Sequence, residues 1–375
     1  MKYYIIAGEA SGDLHGSNLM KELKIIDNQA DFRYWGGDLM KIQGGQIVKH
    51  YNELAFMGFW EVFKNLRTIL KNLRFCKKDI LEYKPDIVIL IDYPGFNLKI
   101  AKQLYQKGIK IAYYISPQLW AWKKNRVHSI KKYIDKLHVI LPFEKDFYKQ
   151  FDYSVEFVGH PLVDAVNDNS VLQKPHPQID HILKTDTRKI ISILPGSRKQ
   201  EISKMLPLMA KMANKYSDFQ FVVAAVGWQS MEFYQSLCDC SKLKFVVDET
   251  YALLSESFAA IVTSGTATLE TALFKVPQVV CYKSSTISYE IAKRVVKGIR
   301  YISLVNLIMN KTIVSELIQH DFHEKRLKKE IDKIIFDIDF RNKMMNQYNE
   351  LETILGKGGA SAKTAQSIYH MIQSK

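Results

Sequence analysis

Apolar and polar positions along this chain fall into two alternating series. In the first half, short β-rich apolar runs each close on glycine or proline: KYYIIAG, FRYWGG, DIVILIDYPG, KIAYYISP, KLHVILP and VEFVGHP. Between them apolar residues recur at helical spacing, as over 14–26 and 59–83. Strands that alternate with helices in this way predict βαβ units on a parallel sheet. Residues 168–187, DNSVLQKPHPQIDHILKTDT, are polar and proline-bearing and read as a linker. The alternation then restarts with KIISILPGSRKQEI, FQFVVAAVG, KFVVDE, AAIVTSGTATLE and PQVVCYKSS. The expectation is an α/β chain of two doubly wound, Rossmann-like domains, 1–167 and 188–349, followed by a basic helical tail. Two such domains in series predict a cleft, with ligands at the carboxyl ends of the strands.

Composition narrows the class without changing that picture. The 375 residues are 47% hydrophobic and 25% charged, as in a globular protein large enough for two cores. No apolar run approaches the ~18 residues of a membrane span. KYYIIAGEAS is too short in its apolar part to be a signal peptide, and reads as a buried first strand of a cytoplasmic protein. Cys76, Cys238, Cys240 and Cys281 lack zinc-site spacing and read as reduced thiols. The net charge of +14 predicts attraction to something anionic: nucleic acid, an acidic membrane face or a phosphorylated substrate.

Several stretches could carry chemistry. In LPGSR, Gly196 and Ser197 allow close backbone approach and Arg198 can hold an anion. A plain strand–turn–helix with a surface arginine accounts for it equally well. In TSGTATLE, Ser264, Gly265 and Thr266 open a helix that carries Glu270. Free amides and hydroxyls there suit a diphosphate, and the carboxylate suits ribose hydroxyls. A capping box fits less well, because Thr266 and Glu270 are four apart, not three. Asp92 ends the run DIVILID, where it either caps the next helix or serves as a general base. His160 and Asp164 of GHPLVD lie near the domain junction, and a histidine beside proline is more often structural. The stretch from Phe59 has an apolar stripe that includes Trp60, Phe63, Leu66 and Leu70, with lysines and arginines filling the rest. That pattern is a core-packed helix with a basic face, or a helix lying on an anionic membrane. The acidic triplet 337–339 falls in helical sequence and is discounted as a metal site.

Taken together, AGEASGDLHG, SPQLWAW, LPFEKDFY, GHPLVD, LPGSR, TSGTATLE and VVCYK resemble the lipid-A-disaccharide synthases, in family order over nearly the whole chain. The resemblance implies a two-domain fold of the glycosyltransferase-B kind, with the C-terminal helix, about 350–375, returning to the N-terminal domain. It implies transfer of 2,3-diacylglucosamine from UDP-2,3-diacylglucosamine to 2,3-diacylglucosamine 1-phosphate. Inversion at the anomeric carbon would give a β-1,6 disaccharide 1-phosphate and UDP, without metal or other cofactor. It also implies a peripheral protein on the cytoplasmic face of the inner membrane, and a homodimer as one allowed state. By the same resemblance Asp92 is the essential acid and Arg198 the essential arginine, with Asn306 of LVNL a nucleotide contact. The chain departs from the family in having Gly95 where a second aspartate is common, and Val305 in place of a proline.

The resemblance reweights two stretches. Acyl-bearing substrates give the apolar patch around Phe59 a role in membrane docking. The glycines of AGEASGDLHG are four apart, unlike a dinucleotide fingerprint, so that loop is assigned to the acceptor side. Ser11 and Gly12 are expected near the reacting sugars, with Glu9 and Asp13 orienting either the substrate or the loop. A UDP-sugar epimerase of the same fold is the competing enzyme, distinguished by needing no acceptor. A nucleic-acid binder is disfavoured, since no recognition motif accompanies the charge.

Overall fold

The computed structural model describes residues 1–53, 66–120, 124–167, 173–284 and 300–374. The chain divides into two compact units, Met1–Asp164 with Gly358–Lys375, and Ala165–Lys357.

The first unit is built on seven strands: β1 (Lys2–Ala7), β2 (Asp31–Gly36), β3 (Gln46–His50), β4 (Ile87–Ile91), β5 (Ile111–Tyr114), β6 (Lys136–Val139) and β7 (Glu156–Phe157). They lie in the order β3-β2-β1-β4-β5-β6-β7, and every pairing is parallel. Alternate residues of β1 serve opposite faces. Tyr3, Ile5 and Ala7 meet Leu19, Met20 and Leu23 of the helix Ala10–Ile26, together with Ala365 and Ile368 of the helix Ala360–Gln373. Tyr4 and Ile6 meet Leu73, Cys76 and Ile80 of the helix Leu66–Tyr83. Asp79 pins that helix, accepting from the Tyr4 hydroxyl (2.7 Å) and Arg33 Nε (2.9 Å). The final helix is held by Asp164, whose carboxylate accepts from the amides of Gly359 (2.5 Å) and Ser361 (3.2 Å).

The second unit has six parallel strands: β8 (Lys189–Leu194), β9 (Phe219–Ala225), β10 (Leu243–Val247), β11 (Ser257–Thr263), β12 (Gln278–Tyr282) and β13 (Ser315–Ile318). Their order is β10-β9-β8-β11-β12-β13. Part of the stretch read as a linker is instead the helix Pro177–Thr185. Ile179 and Ile182, three apart, enter the core, while Gln178 bonds both backbone groups of Val247 (3.0 and 2.9 Å). The polar residues around these two isoleucines hide them in a composition-based reading. Residues 168–172 of the same stretch lie outside the described residues. β3 and β13 are also absent from the sequence expectation, being short, half-exposed and mixed in composition.

Candidate functional site

Each sheet reverses its strand order once: between β1 and β4 in the first unit, and between β8 and β11 in the second. In open α/β sheets ligands bind outside the carboxyl ends of the strands at such switch points. The loops there carry Glu9 and Asp92 in the first unit, and LPGSR and TSGTATLE in the second.

In the first unit the chain leaves β4 through two left-handed residues, Asp92 (φ 43°) and Tyr93 (φ 47°). Non-glycine residues seldom take this conformation, and such strain persists only where neighbours enforce it. Here the buried Asn97 donates to the Asp92 carbonyl (2.8 Å), and the Tyr113 hydroxyl donates to the same oxygen. The Asp92 carboxyl is thereby held at the strand end, partly buried. Burial, then the nearby Glu9 carboxylate, push its pKa up to about 6. A carboxylate so placed is ionised at neutral pH and basic enough to take a proton.

The rest of the opening motif does something else. The helix begins at Ala10, four residues earlier than its periodicity predicts, so Ser11, Gly12 and Asp13 form its first turn. Gly12 lets that turn press on β1, since a Cβ there would lie 3.2 Å from the Ala7 Cβ. Asp13 is 3% exposed, and its carboxylate accepts from the amides of Gly37 (2.7 Å), Leu39 (3.0 Å) and Met40 (3.1 Å). This corrects the substrate-orienting alternative for Asp13: it caps the helix Asp38–Ile42. Ser11 is exposed beside Glu9, on the surface of that turn.

His15 and His160 are both buried, and desolvation lowers them to about 4 and about 3, leaving two neutral rings. Asp164, the other candidate in GHPLVD, caps the final helix. Described residues of SPQLWAW pack on LPFEKDFY: Ser116 Oγ lies 2.6 Å from the Tyr148 hydroxyl, and the Trp120 and Phe143 rings are 5.0 Å apart. Asp337, first of the acidic triplet, caps the helix Ile338–Leu355, accepting from Phe340 N (2.9 Å). Among the described residues no three His, Cys, Asp or Glu side chains group as metal ligands would.

In the second unit β8 runs into Pro195 and an exposed turn, Ser197–Arg198, before the helix Lys199–Ala210. Gly196 has φ 112°, a conformation glycine takes readily, and a Cβ there would lie 2.9 Å from Glu201. Glu201 also lies 3.6 Å from the exposed Arg198 guanidinium. One strand away, Gly265 caps the helix Thr266–Leu273. Its backbone is extended, and a Cβ would meet nothing within 4 Å. Neither conformation nor packing requires glycine there. The missing side chain leaves the helix-opening amides approachable, and these lack intrahelical partners. Ser264 Oγ donates to the Ile302 carbonyl (3.0 Å), so its proton is already committed. Glu270 is no capping-box residue: it is half-buried and Oε1 accepts from the Tyr251 hydroxyl (2.9 Å). Burial raises its pKa. Tyr251 escapes a motif-based reading because its partner is nineteen residues away.

Asn306 departs most from expectation. It is fully buried: Nδ2 donates to the Val314 carbonyl (2.9 Å) and Glu316 Oε1 (2.8 Å), while Oδ1 accepts from Ile313 N (2.7 Å) and Val314 N (3.0 Å). Four hydrogen bonds exhaust a carboxamide. The expected nucleotide contact is therefore corrected to an internal brace.

Of the docking patch, Phe59, Trp60 and Phe63 lie outside the described residues, as does the Leu66 side chain. The helix Leu66–Tyr83 buries Leu73, Cys76 and Ile80 and exposes Arg67, Lys71, Arg74 and Lys78, with Leu70 and Phe75 nearly half exposed. Among the described residues no helix is long and apolar enough to cross a membrane.

A family model described as lipid-A-disaccharide synthetase matches residues 3–369. The chain is similar to a lipid-A-disaccharide synthase of Trichlorobacter lovleyi, 35% identical over 98% of this chain and 97% of that one. It is also similar to one of Syntrophus aciditrophicus, 37% identical over 96% and 95%. Among solved structures it resembles a UDP-GlcNAc 2-epimerase from Neisseria meningitidis bound to UDP-GlcNAc (TM-score 0.68, 15% identity, 99% of this chain and 100% of that one). It resembles the calicheamicin glycosyltransferase CalG4 as well (TM-score 0.59, 14% identity, 99% and 98%). At such identities the likeness shows the fold alone, which is the glycosyltransferase-B type.

Proposed function

The chain belongs to the lipid-A-disaccharide synthase family, as a glycosyltransferase of lipid A biosynthesis, and from that premise we propose its reaction. It transfers 2,3-diacylglucosamine from UDP-2,3-diacylglucosamine to the 6-hydroxyl of 2,3-diacylglucosamine 1-phosphate. Asp92 takes the hydroxyl proton as that oxygen attacks the anomeric carbon from the face opposite UDP. The C1–O bond to the diphosphate breaks, its electron pair leaves with UDP, and the product is β-1,6-linked. The observation that carries this reading is the basic, strained carboxylate at the first unit's switch point, raised to about 6 by burial and Glu9.

The second unit supplies the leaving-group site. The Gly196–Arg198 turn and the amides of Gly265 and Thr266 receive the diphosphate charge, and Glu270 receives the ribose hydroxyls. The Neisseria meningitidis epimerase of the same fold is bound to UDP-GlcNAc, which supports a UDP-sugar as the ligand. The exposed basic face of the helix Leu66–Tyr83, with Leu70 and Phe75 beside it, supports docking on an anionic membrane where both lipid substrates reside.

Mixing the protein with both lipids tests the reaction by mass spectrometry. A tetraacyl disaccharide 1-phosphate and one UDP per disaccharide are expected, with no turnover of the UDP-sugar alone. Conversion of the UDP-sugar without acceptor into an isomer would overturn the assignment in favour of an epimerase.

A further inference from the structure

Glu316 belongs to no motif of the sequence, yet its carboxylate gathers four hydrogen bonds. It lies on β13, at the edge of the second sheet. Its carboxylate accepts from Ile302 N (3.0 Å), Ser303 N (3.0 Å), Ser303 Oγ (2.6 Å) and Asn306 Nδ2 (2.8 Å). Asn306, itself saturated, locks the carboxylate from behind. The same Ile302 residue whose amide is held by Glu316 offers its carbonyl to the Ser264 hydroxyl (3.0 Å). An unbroken chain of hydrogen bonds thus runs from Asn306 and Glu316, across one peptide segment, to the first residue of the Ser264–Thr266 turn.

We propose that Glu316 is a positioning residue of the nucleotide-binding turn, fixing the 302–303 backbone so that Ser264 holds the Gly265 and Thr266 amides toward the diphosphate. This rests on the reading that the turn binds UDP. Glu316 is suited to the task because its two carboxylate oxygens offer acceptors, and all four groups facing them donate. Glutamine preserves shape but turns a donor toward those donors, leaving part of the set unpaired. The 302–303 segment then relaxes, and preorganisation of the turn is lost with it.

Calorimetric titration of UDP into wild type, Glu316→Gln, Ser264→Ala and the double variant tests this, with acceptor KM and kcat measured alongside. Glu316→Gln is expected to weaken UDP binding about tenfold, a loss on the scale of one charged hydrogen bond. The KM for the UDP-sugar should rise in step, and the acceptor KM should stay unchanged. In the Ser264→Ala background, where the tie is already cut, the Glu316 effect should largely vanish. Ser303→Ala removes one bond of the clamp and should weaken UDP about threefold, which serves where Glu316→Gln does not fold. Unchanged UDP affinity in these variants, or fully additive losses in the double variant, overturns the positioning role. Failure of the wild type to bind UDP overturns instead the nucleotide reading on which it stands.

Discussion

Replacing Asp92 by Asn should abolish turnover and at the same time stabilise the fold, in a pH-dependent manner. The carboxyl is raised from 3.8 to about 6, first by burial and then by Glu9. Its ionised form is therefore disfavoured in the native state relative to the unfolded chain. At 1.36 kcal/mol per pH unit that difference is about 3 kcal/mol at full strength, and about 1–3 once partial exposure is allowed for. The sign follows from the proton: the native state binds it more tightly, so stability is full below pH 4 and falls as pH rises through 6. Asparagine has no charge to desolvate and accepts the left-handed backbone found here. The variant should match the parent's pH dependence less and less above pH 4. It should gain about 2–4 °C in melting temperature per kcal/mol by pH 7.5. Turnover should drop by about 10²–10⁴, the usual worth of a general base, with UDP affinity unchanged. Thermal melts of both proteins from pH 4.5 to 8, paired with UDP-release rates, check the two halves together. A stability difference that does not grow between pH 4.5 and 7.5, or wild-type-like turnover, would refute the reasoning.

Asp13→Ala should cost about 2–3 kcal/mol of stability by orphaning three amides at the start of the helix Asp38–Ile42, while UDP titration below the melting point stays normal. A lost UDP affinity in the folded variant would place Asp13 in the binding site after all. Arg198→Ala should weaken UDP binding and rate together, each about tenfold or more, and an unchanged affinity would remove Arg198 from the diphosphate site. Binding to anionic vesicles should fall steeply as salt rises, because each exposed basic residue contributes about 1 kcal/mol within a Debye length of about 8 Å. Charge reversal at Lys71, Arg74 and Lys78 should mimic the salt, and co-sedimentation indifferent to both would exclude docking by this face.

What could be read in advance follows from how local each cause is. The parallel strands were legible because burial on both faces demands uninterrupted apolar runs, as in Tyr3–Ala7 and Ile87–Ile91. The candidate loops at the strand ends were legible because glycine and arginine stand beside those runs. Edge elements were not: β3 and β13 are half-exposed, and the helix Pro177–Thr185 enters its core through two isoleucines in a polar stretch. Roles set by distant partners were hidden too. Nothing in GEASGD says that Asp13 turns toward amides 24 to 27 residues away, nor that Asn306 spends its whole amide on Val314, Ile313 and Glu316.

One architecture is used twice with opposite electrostatics. Both units reverse strand order between their central strands, and both offer the loops there to a ligand. In the first unit those loops carry two carboxylates, and burial, then Glu9, raises the proton affinity of Asp92. An anion would be repelled there, whereas a hydroxyl with a proton to lose would be attracted. In the second unit the equivalent loops carry an exposed arginine, a left-handed glycine and a helix start left open at Gly265. On the proposed reaction, those donors face the leaving diphosphate. The proposed transfer between an alcohol and a nucleotide-activated sugar uses these two environments separately, a raised carboxylate for the proton and open amides with an arginine for the diphosphate. On this reasoning Glu9→Lys should slow turnover with UDP affinity unchanged, whereas Arg198→Glu should weaken UDP binding in titration, and the opposite pattern would refute it.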